Sequence, residues 1–447
     1  MQQHSQYLDD LFAFINASPT AFHAAAAGAA LLRDHGFQRL HEADAWGDLA
    51  PGAYFVVRND ASLIAFTLAD SPRSGQPLRM AGAHTDSPGL KVKPNPLQVR
   101  QGCVQLGVEV YGGPLLAPWF DRDLSIAGRV SWRRGQGVLQ CSLIDFKRPV
   151  AVIPSLAIHL DREANSKRSI DKQIDLVPLL MQTPESSPPD FKTILQRQLG
   201  LQHPAAVDAE DAEDAEILDF DLFLYDAQPL ALVGLNEEFI TGARLDNLLS
   251  CHALLQGLAS AKPRRNGLIV LNDHEEVGSV STAGAQGTFL NDVLQRLFPE
   301  AGVRQQVVAG SLFVSVDNAH AVHPNFAGKH DPEHLPQLNR GPVIKMNANQ
   351  RYATNALTAS LFRQFCQKAK SPCQQFVMRN DLACGSTIGP LTAAGIGVPT
   401  VDVGVPQLAM HSIRETAGSA DGWHLLRALT AFFSETDEAI RCPQAAL

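Results

Sequence analysis

Apolar positions near the start of the chain recur at helical spacing: Tyr7, Leu8, Leu11, Phe12 and Ile15 share a face, which predicts an amphipathic helix over about 7–16, stopped by Ser18-Pro19. An alanine-rich stretch from about residue 20 predicts a second helix, with Gly36 suited to its C-terminal turn. Runs rich in β-branched and aromatic residues at 54–58 and 62–68 predict strands. Largely apolar runs at 78–83, 268–271, 311–316 and 398–403 have the pattern of strands covered on both faces. The stretch 89–228 differs, with short β-like runs at 90–93, 104–111, 126–132 and 137–143 broken by glycine and proline. An α/β body over 1–88 and 229–447, interrupted by a β-rich segment at 89–228, is therefore expected.

Two domains also suit a length of 447 residues. A formal net charge of -9, without a basic patch, excludes nucleic acid and anionic membranes as partners. The N-terminus lacks the basic and apolar parts of a secretory signal, and no apolar run is long enough to span a bilayer, so a cytoplasmic location is expected. The seven cysteines are scattered without a Cys-x-x-Cys pair, as reduced structural thiols would be. A dense acidic run over 208–221 reads as an exposed, mobile loop without chemistry.

Charged residues gather where the apolar runs end. Residues 268–271 empty into His274, Glu275 and Glu276. Adjacent carboxylates at the mouth of a buried strand repel each other and lose hydration, so a cation or a raised pKa is expected there; a solvated loop with a chance acidic pair is the alternative. Residues 78–83 lead into His84-Thr85-Asp86, and side chains two apart on a strand share a face. Asp86 is thus either a structural partner of His84 or the carboxylate that orients a metal-bound imidazole. Residues 311–316 lead into Asp317, 398–403 lead through a loop to His411, and Asp246 opens a helix, where the dipole favours an anion. Several of these positions lie at or beyond the C-terminal ends of strands, the edge at which open α/β sheets bind ligands. Two divalent cations would be balanced by Asp246, Glu276, Asp317 and one hydroxide, which leaves Glu275 over as a base for water. With His84 and His411 the set is mixed nitrogen and oxygen, suited to zinc, with manganese or cobalt as substitutes. The segment 152–160 carries His159, which by pattern alone reads as a core histidine.

The motifs His84-Thr85-Asp86-Ser87-Pro88, Arg244-Leu245-Asp246-Asn247, Asp273-His274-Glu275-Glu276-Val277-Gly278-Ser279, Asp317-Asn318-Ala319-His320-Ala321-Val322-His323-Pro324-Asn325, Asn347-Ala348-Asn349-Gln350-Arg351-Tyr352-Ala353 and Met410-His411-Ser412 resemble, in order and spacing, those of the M18 metallo-aminopeptidases, the aspartyl aminopeptidase family. The resemblance implies a zinc-exopeptidase-like α/β/α catalytic domain over 1–88 and 229–447 with an inserted β-rich dimerisation domain over 89–228. It also implies two zinc ions per subunit and dimers assembled into a tetrahedral dodecamer. His84, Asp246, Glu276, Asp317 and His411 would be the ligands, with Asp246 bridging, Glu275 the general base and Asp86 supporting His84. His159 matches a histidine that meets substrate in a neighbouring subunit's active site, or else serves as a zinc ligand. Lys345 matches a lysine that meets an acidic substrate side chain, and His320 and His323 are expected as hydrogen-bonding supports. The implied reaction is removal of the N-terminal residue of peptides, with Asp and Glu preferred. The alternatives are a preference for neutral residues, a related dinuclear acyl-amino-acid hydrolase or carboxypeptidase, and a catalytically silent shell or cargo protein.

Overall fold

The computed structural model describes residues 2–69, 75–135, 137–184, 187–203 and 215–443. They form two compact units: Met1–Asp86, Leu230–Met410 and Glu415–Leu447 make the first, and Ser87–Pro229 with His411–Arg414 the second.

The first unit is built on a nine-stranded sheet in the order Gln38–Arg39, Gly52–Arg58, Ser62–Leu68, Gly267–Asn272, Arg79–His84, Leu312–Val316, Thr400–Gly404, Val343–Met346 and Gln374–Val377. Gly267–Asn272, Arg79–His84, Leu312–Val316 and Thr400–Gly404 run parallel to one another, and every residue in these four strands is buried. Strands without a polar face need cover on both sides. Alternation along the strands splits the cover into two cores. Ala81, Ala83, Ile269, Leu271 and Val314 join one core with the helices Gln2–Asn16, Ala21–Asp34, Leu245–Ser260, Ala356–Lys368 and Asp421–Ser434. Met80, Leu268, Val270 and Phe313 join the other, with Phe289–Leu297, Ala301–Gly310 and Ile388–Ile396. Each leucine or phenylalanine fully buried in such a core contributes about 1.5–3 kcal/mol. A separate five-stranded sheet, Ala231–Val233, Phe239–Gly242, Glu415–Gly418, Pro406–Leu408 and Ala319–His320, completes the unit.

Local chemistry sets the helix ends. The Thr20 side chain accepts the His23 N–H at the start of Ala21–Asp34, and Gly36 leaves that helix at φ +81°. Asn355 and Thr358 form a capping box on Ala356–Lys368. The strand expected at 398–403 begins at Thr400 instead, because Pro399 has no N–H to give the ladder.

The second unit has a six-stranded antiparallel sheet in the order Gln140–Asp145, Leu124–Arg134, Ala215–Asp226, Gly89–Arg100, Cys103–Tyr111 and Leu179–Gln182. Its core holds Leu90, Val108, Trp119, Ile126, Trp132 and Leu222. Two expectations need correction. The acidic run was expected to be a loop to 221, but Ala215–Asp226 is a strand: Ala215 and Ile217 turn inward, and the outward charges meet opposite charges on neighbouring strands, Glu216 with Arg133 at 2.9 Å and Asp221 with Lys91 at 2.8 Å and Arg129 at 3.1 Å. Residues 208–214 of that run lie outside the described residues. A helix, Phe191–Gln202, also appears in the β-rich segment; the Asp190 side chain caps it, and Phe191, Leu195 and Leu199 bury one stripe.

Candidate metal centre and active site

His84 is the last residue of its strand and 1 % exposed. Its Nε2 lies 3.5 Å from Asp246 Oδ1 and 3.6 Å from Asp317 Oδ1. Asp317 immediately follows the strand Leu312–Val316, so two neighbouring strand ends bring these groups together. Asp246 arrives from the helix Leu245–Ser260, whose first turn departs from helical angles at Asp246 and Asn247. That departure is held on several sides. Glu415 Oε2 accepts the Asp246 N–H at 2.9 Å, Asn247 Nδ2 donates to Val316 O at 2.8 Å, and Asn318 Nδ2 donates to Leu245 O at 2.9 Å and to Gln407 Oε1 at 2.9 Å.

Glu275 and Glu276 sit in a tight turn after the strand Gly267–Asn272, opened by His274 at φ +64° and closed by Gly278 at φ +94°. The turn gives Glu275 and Glu276 an orientation through Asp86, whose two carboxylate oxygens accept their backbone N–H groups, each at 3.1 Å. His84 Nδ1 bonds the Asp86 backbone carbonyl at 3.0 Å, while the carboxylate oxygen stands at 3.4 Å. Asp86 therefore touches His84 as expected from the sequence and also anchors the glutamate pair.

Electrostatics follow from this crowding. Burial pushes the Glu275 carboxyl up to about 7, reinforced by Asp317, Asp86 and Asp246 and opposed by the His84 ring. Burial and Asp246 hold Glu276 well above the usual carboxylate range. For His84, burial acts downward, but the Asp246, Asp317 and Asp86 carboxylates raise it well above an ordinary imidazole. Asp317 goes the other way: burial would raise it, yet the Lys345 ammonium and the His84 ring keep it well below the usual range. Lys345, 2 % exposed on the strand Val343–Met346, places Nζ 3.2 Å from Asp317 Oδ2 and 3.2 Å from Asn318 O, and 5.1 Å from the centroid of the Tyr352 ring.

Such a concentration of buried anions around one imidazole fits divalent cations. His84, Asp246 and Asp317 offer one ligand atom each within 4.8 Å of one another, and so do His84, Glu275 and Glu276. One imidazole nitrogen with carboxylate oxygens is a donor set that suits zinc.

The other residues singled out in the sequence have different surroundings. His411 belongs to the four-residue segment of the second unit, with Nδ1 3.0 Å from Gly113 O. His159 is exposed, in an irregular stretch of that unit where Leu156, Ile158 and Leu160 are exposed too. It is not a core histidine, because the buried apolar run ends at Ile153. His323 accepts the Asn325 N–H as a helix cap, and His320 stacks edge-on to Phe376 at 6.0 Å. Glu415 and Gln407 were not foreseen, and Asn318 stood in the sequence only as a member of the Asp317 motif without a role; Gln407 is a single polar residue between Pro406 and Leu408, while Glu415 lies between Arg414 and Thr416 and carries no signal.

The family model for the aminopeptidase I zinc metalloproteases (M18) matches residues 14–433 of this chain. A protein designated Probable M18 family aminopeptidase 2, from Stutzerimonas stutzeri (strain A1501), is 54 % identical over 427 residues, which cover 96 % of this chain and 98 % of that one. Among solved structures, a chain of the Ape4 and Nbr1 complex superimposes with a TM-score of 0.93 at 38 % identity, over 99 % of this chain and 88 % of the other. A chain of the S. cerevisiae mApe1 dodecamer superimposes with a TM-score of 0.81 at 27 % identity, over 98 % and 99 %.

Proposed function

The chain belongs to the M18 family and is a metallo-aminopeptidase, a peptide hydrolase; from that premise we propose that it removes N-terminal residues of peptides at a dinuclear zinc site, with Asp and Glu preferred. The observation that carries the reading is the meeting of His84 with Asp246, Asp317, Glu275 and Glu276 at the C-terminal ends of parallel strands. In this proposal His84, Asp246, Glu276, Asp317 and His411 would hold two metal ions. When bound, the ions polarise the scissile carbonyl and lower the pKa of water.

The chain's own residues do the rest. Glu275 accepts the proton of the attacking water at its carboxylate and returns it to the leaving amine. Asp86 keeps Glu275 in place through its backbone N–H and holds the His84 ring. A catalytic body over 1–88 and 229–447 with a dimerisation domain over 89–228, a cytoplasmic location and dimers assembled into a dodecamer belong to the same proposal. The dodecameric S. cerevisiae relative and the exposed apolar stretch around His159 support assembly, with His159 meeting substrate in a neighbouring copy.

Acidic specificity rests on Lys345. Its ammonium already gives two of its three N–H donors to Asp317 Oδ2 and Asn318 O, so a substrate carboxylate would take the third; the charge already paired with Asp317 favours the second reading, a neutral N-terminal residue. The experiment is a panel of aminoacyl chromogenic substrates, read after chelation and after addition of Zn²⁺, Mn²⁺ or Co²⁺. Activity restored by metal and confined to free α-amines is expected, and hydrolysis of N-blocked substrates would overturn the reading. In the same panel kcat/KM for Asp, Glu and Leu is compared with that of Lys345→Met. A selective loss for Asp and Glu is expected. Equal loss for all three, or a wild-type preference for leucine, removes the acidic assignment.

A further inference from the structure

Beside the candidate site, on the face of the sheet covered by Phe289–Leu297 and Ile388–Ile396, lies a cavity of about 510 Å³. Among the described residues, no charged one lines it. Its wall includes the amides Asn272, Gln286 and Asn291, with Leu290, Pro390 and Leu391 between them. The place is informative. Asn272 ends the strand that leads to Glu275, and it is the register partner of His84 on the adjacent parallel strand. Partners on parallel strands send their side chains to the same face, so the Asn272 amide leaves the sheet on the side from which the His84 imidazole leaves. The wall is preformed. Asn272 Nδ2 donates to Ala283 O at 3.3 Å and Gln286 Nε2 to Gly278 O at 3.0 Å, and a Cβ on Gly284 would strike the Ser279 carbonyl, so the loop closes tightly on itself.

The two sides of the site differ in chemistry. Around His84 the groups are charged: Asp246 and Lys345, both buried, and the mostly buried Asp317 are set for metal ions, an α-amine and one side chain. A substrate of this reaction has nothing beyond its amine, whereas on the other side of the scissile bond the chain continues. An uncharged cavity with fixed amides suits that continuation, because a peptide main chain offers neutral donors and acceptors and leaves no charge to be desolvated. We propose that this cavity binds the residues on the C-terminal side of the scissile bond, and that it prefers an uncharged segment. The assignment rests on the aminopeptidase reading above.

The consequence is length dependence. Binding energy from residues away from the reacting bond raises kcat/KM, so a tetrapeptide should exceed the p-nitroanilide of the same N-terminal residue by at least about 10-fold, and an Asp in its third position should reduce the gain. Gly395 lines the cavity with open space at its Cβ, and Ala394 beside it is exposed. Gly395→Trp and Ala394→Trp should fill the cavity without displacing the chain. The test is the ratio of kcat/KM for X-Ala-Leu-Ala to that for X-p-nitroanilide, with X the best residue from the panel, in wild type and in both variants, with thermal melting as the check of folding. A ratio that collapses about 10-fold in a variant that melts like wild type is expected. A wild-type ratio near one, or a ratio unmoved in both folded variants, overturns the cavity assignment while anilide hydrolysis preserves the aminopeptidase reading. Failure of wild type on every substrate with metal present overturns both.

Discussion

Glu275 and Glu276 are neighbours in the chain, yet the proposed chemistry asks one to hold a metal ion and the other to move a proton. Substitution separates these tasks. Glu275→Gln retains a hydrogen-bonding side chain of the same size but cannot take a proton, so kcat should fall at least about 10²-fold while both metal ions stay bound. Metal content by atomic absorption alongside kcat checks this; loss of a metal ion in step with activity would make Glu275 a ligand. Asp86→Asn is subtler. Its carboxylate accepts from both Glu275 N–H and Glu276 N–H, and an asparagine has only one oxygen for the two donors. A loss of roughly 10- to 100-fold in metal affinity or activity is expected, seen in a competitive chelator titration. An unchanged titration and unchanged kinetics would end that role for Asp86. His84, Asp86, Asp246, Glu276 and Asp317 could be picked out of the sequence because each follows an apolar run or opens a helix. Glu415 could not: its 1 % exposure and its bond to the Asp246 N–H arise from tertiary packing that leaves no periodic trace.

At the level of elements, the helix Leu245–Ser260 carries a polar residue that the chemistry does not use. His252 is 1 % exposed, and neither ring nitrogen has a hydrogen-bond partner among the described residues; its neighbours are the rings of Tyr7 at 5.4 Å and Phe14 at 5.5 Å. Burial pushes the imidazole down to about 3 from 6.5. The unfolded chain then takes up a proton before the folded one does, so the contribution of neutral His252 to stability is whole above about 6.5 and is lost as pH falls towards 3. At pH 5 the loss is roughly 2 kcal/mol. His252→Phe should therefore melt at or above wild type at pH 8 and exceed it by a few degrees more at pH 5. A melting difference that stays constant between the two pH values would show that the ring titrates as if in water. The four parallel strands were legible because a strand buried on both faces is largely apolar, even with Arg79, Ser315 or Asp402 inside it. Ala215–Asp226 and Phe191–Gln202 were not, since outward acidic residues of the first are paired by basic residues on Leu124–Arg134 and Gly89–Arg100, and the second lies where the local texture is irregular.

For the whole molecule the decisive group is His159, an exposed residue that in the proposed reading joins a site only when another copy is present. Leu156 is 59 % exposed, Ile158 44 % and Leu160 75 %, an apolar stretch that a lone chain leaves in water. Such stretches mark contact surfaces. This could not be read from the segment itself, since a run of apolar residues around one histidine has the same pattern in a core as in an interface. If His159 meets substrate in a neighbouring copy, the active site belongs to two chains, and damage to its two halves can be complemented. Glu275→Gln removes the base and leaves His159 intact; His159→Phe does the reverse. Each variant alone should be nearly inactive. After dissociation and reassembly of an equal mixture, some sites receive Glu275 from one chain and His159 from the other, and about one quarter of wild-type kcat per site should return if the copies mix at random. Subunit exchange must be shown independently, by mass spectrometry of an isotope-labelled partner. Exchange without recovered activity would confine His159 to its own chain and leave the exposed stretch with a role in assembly alone.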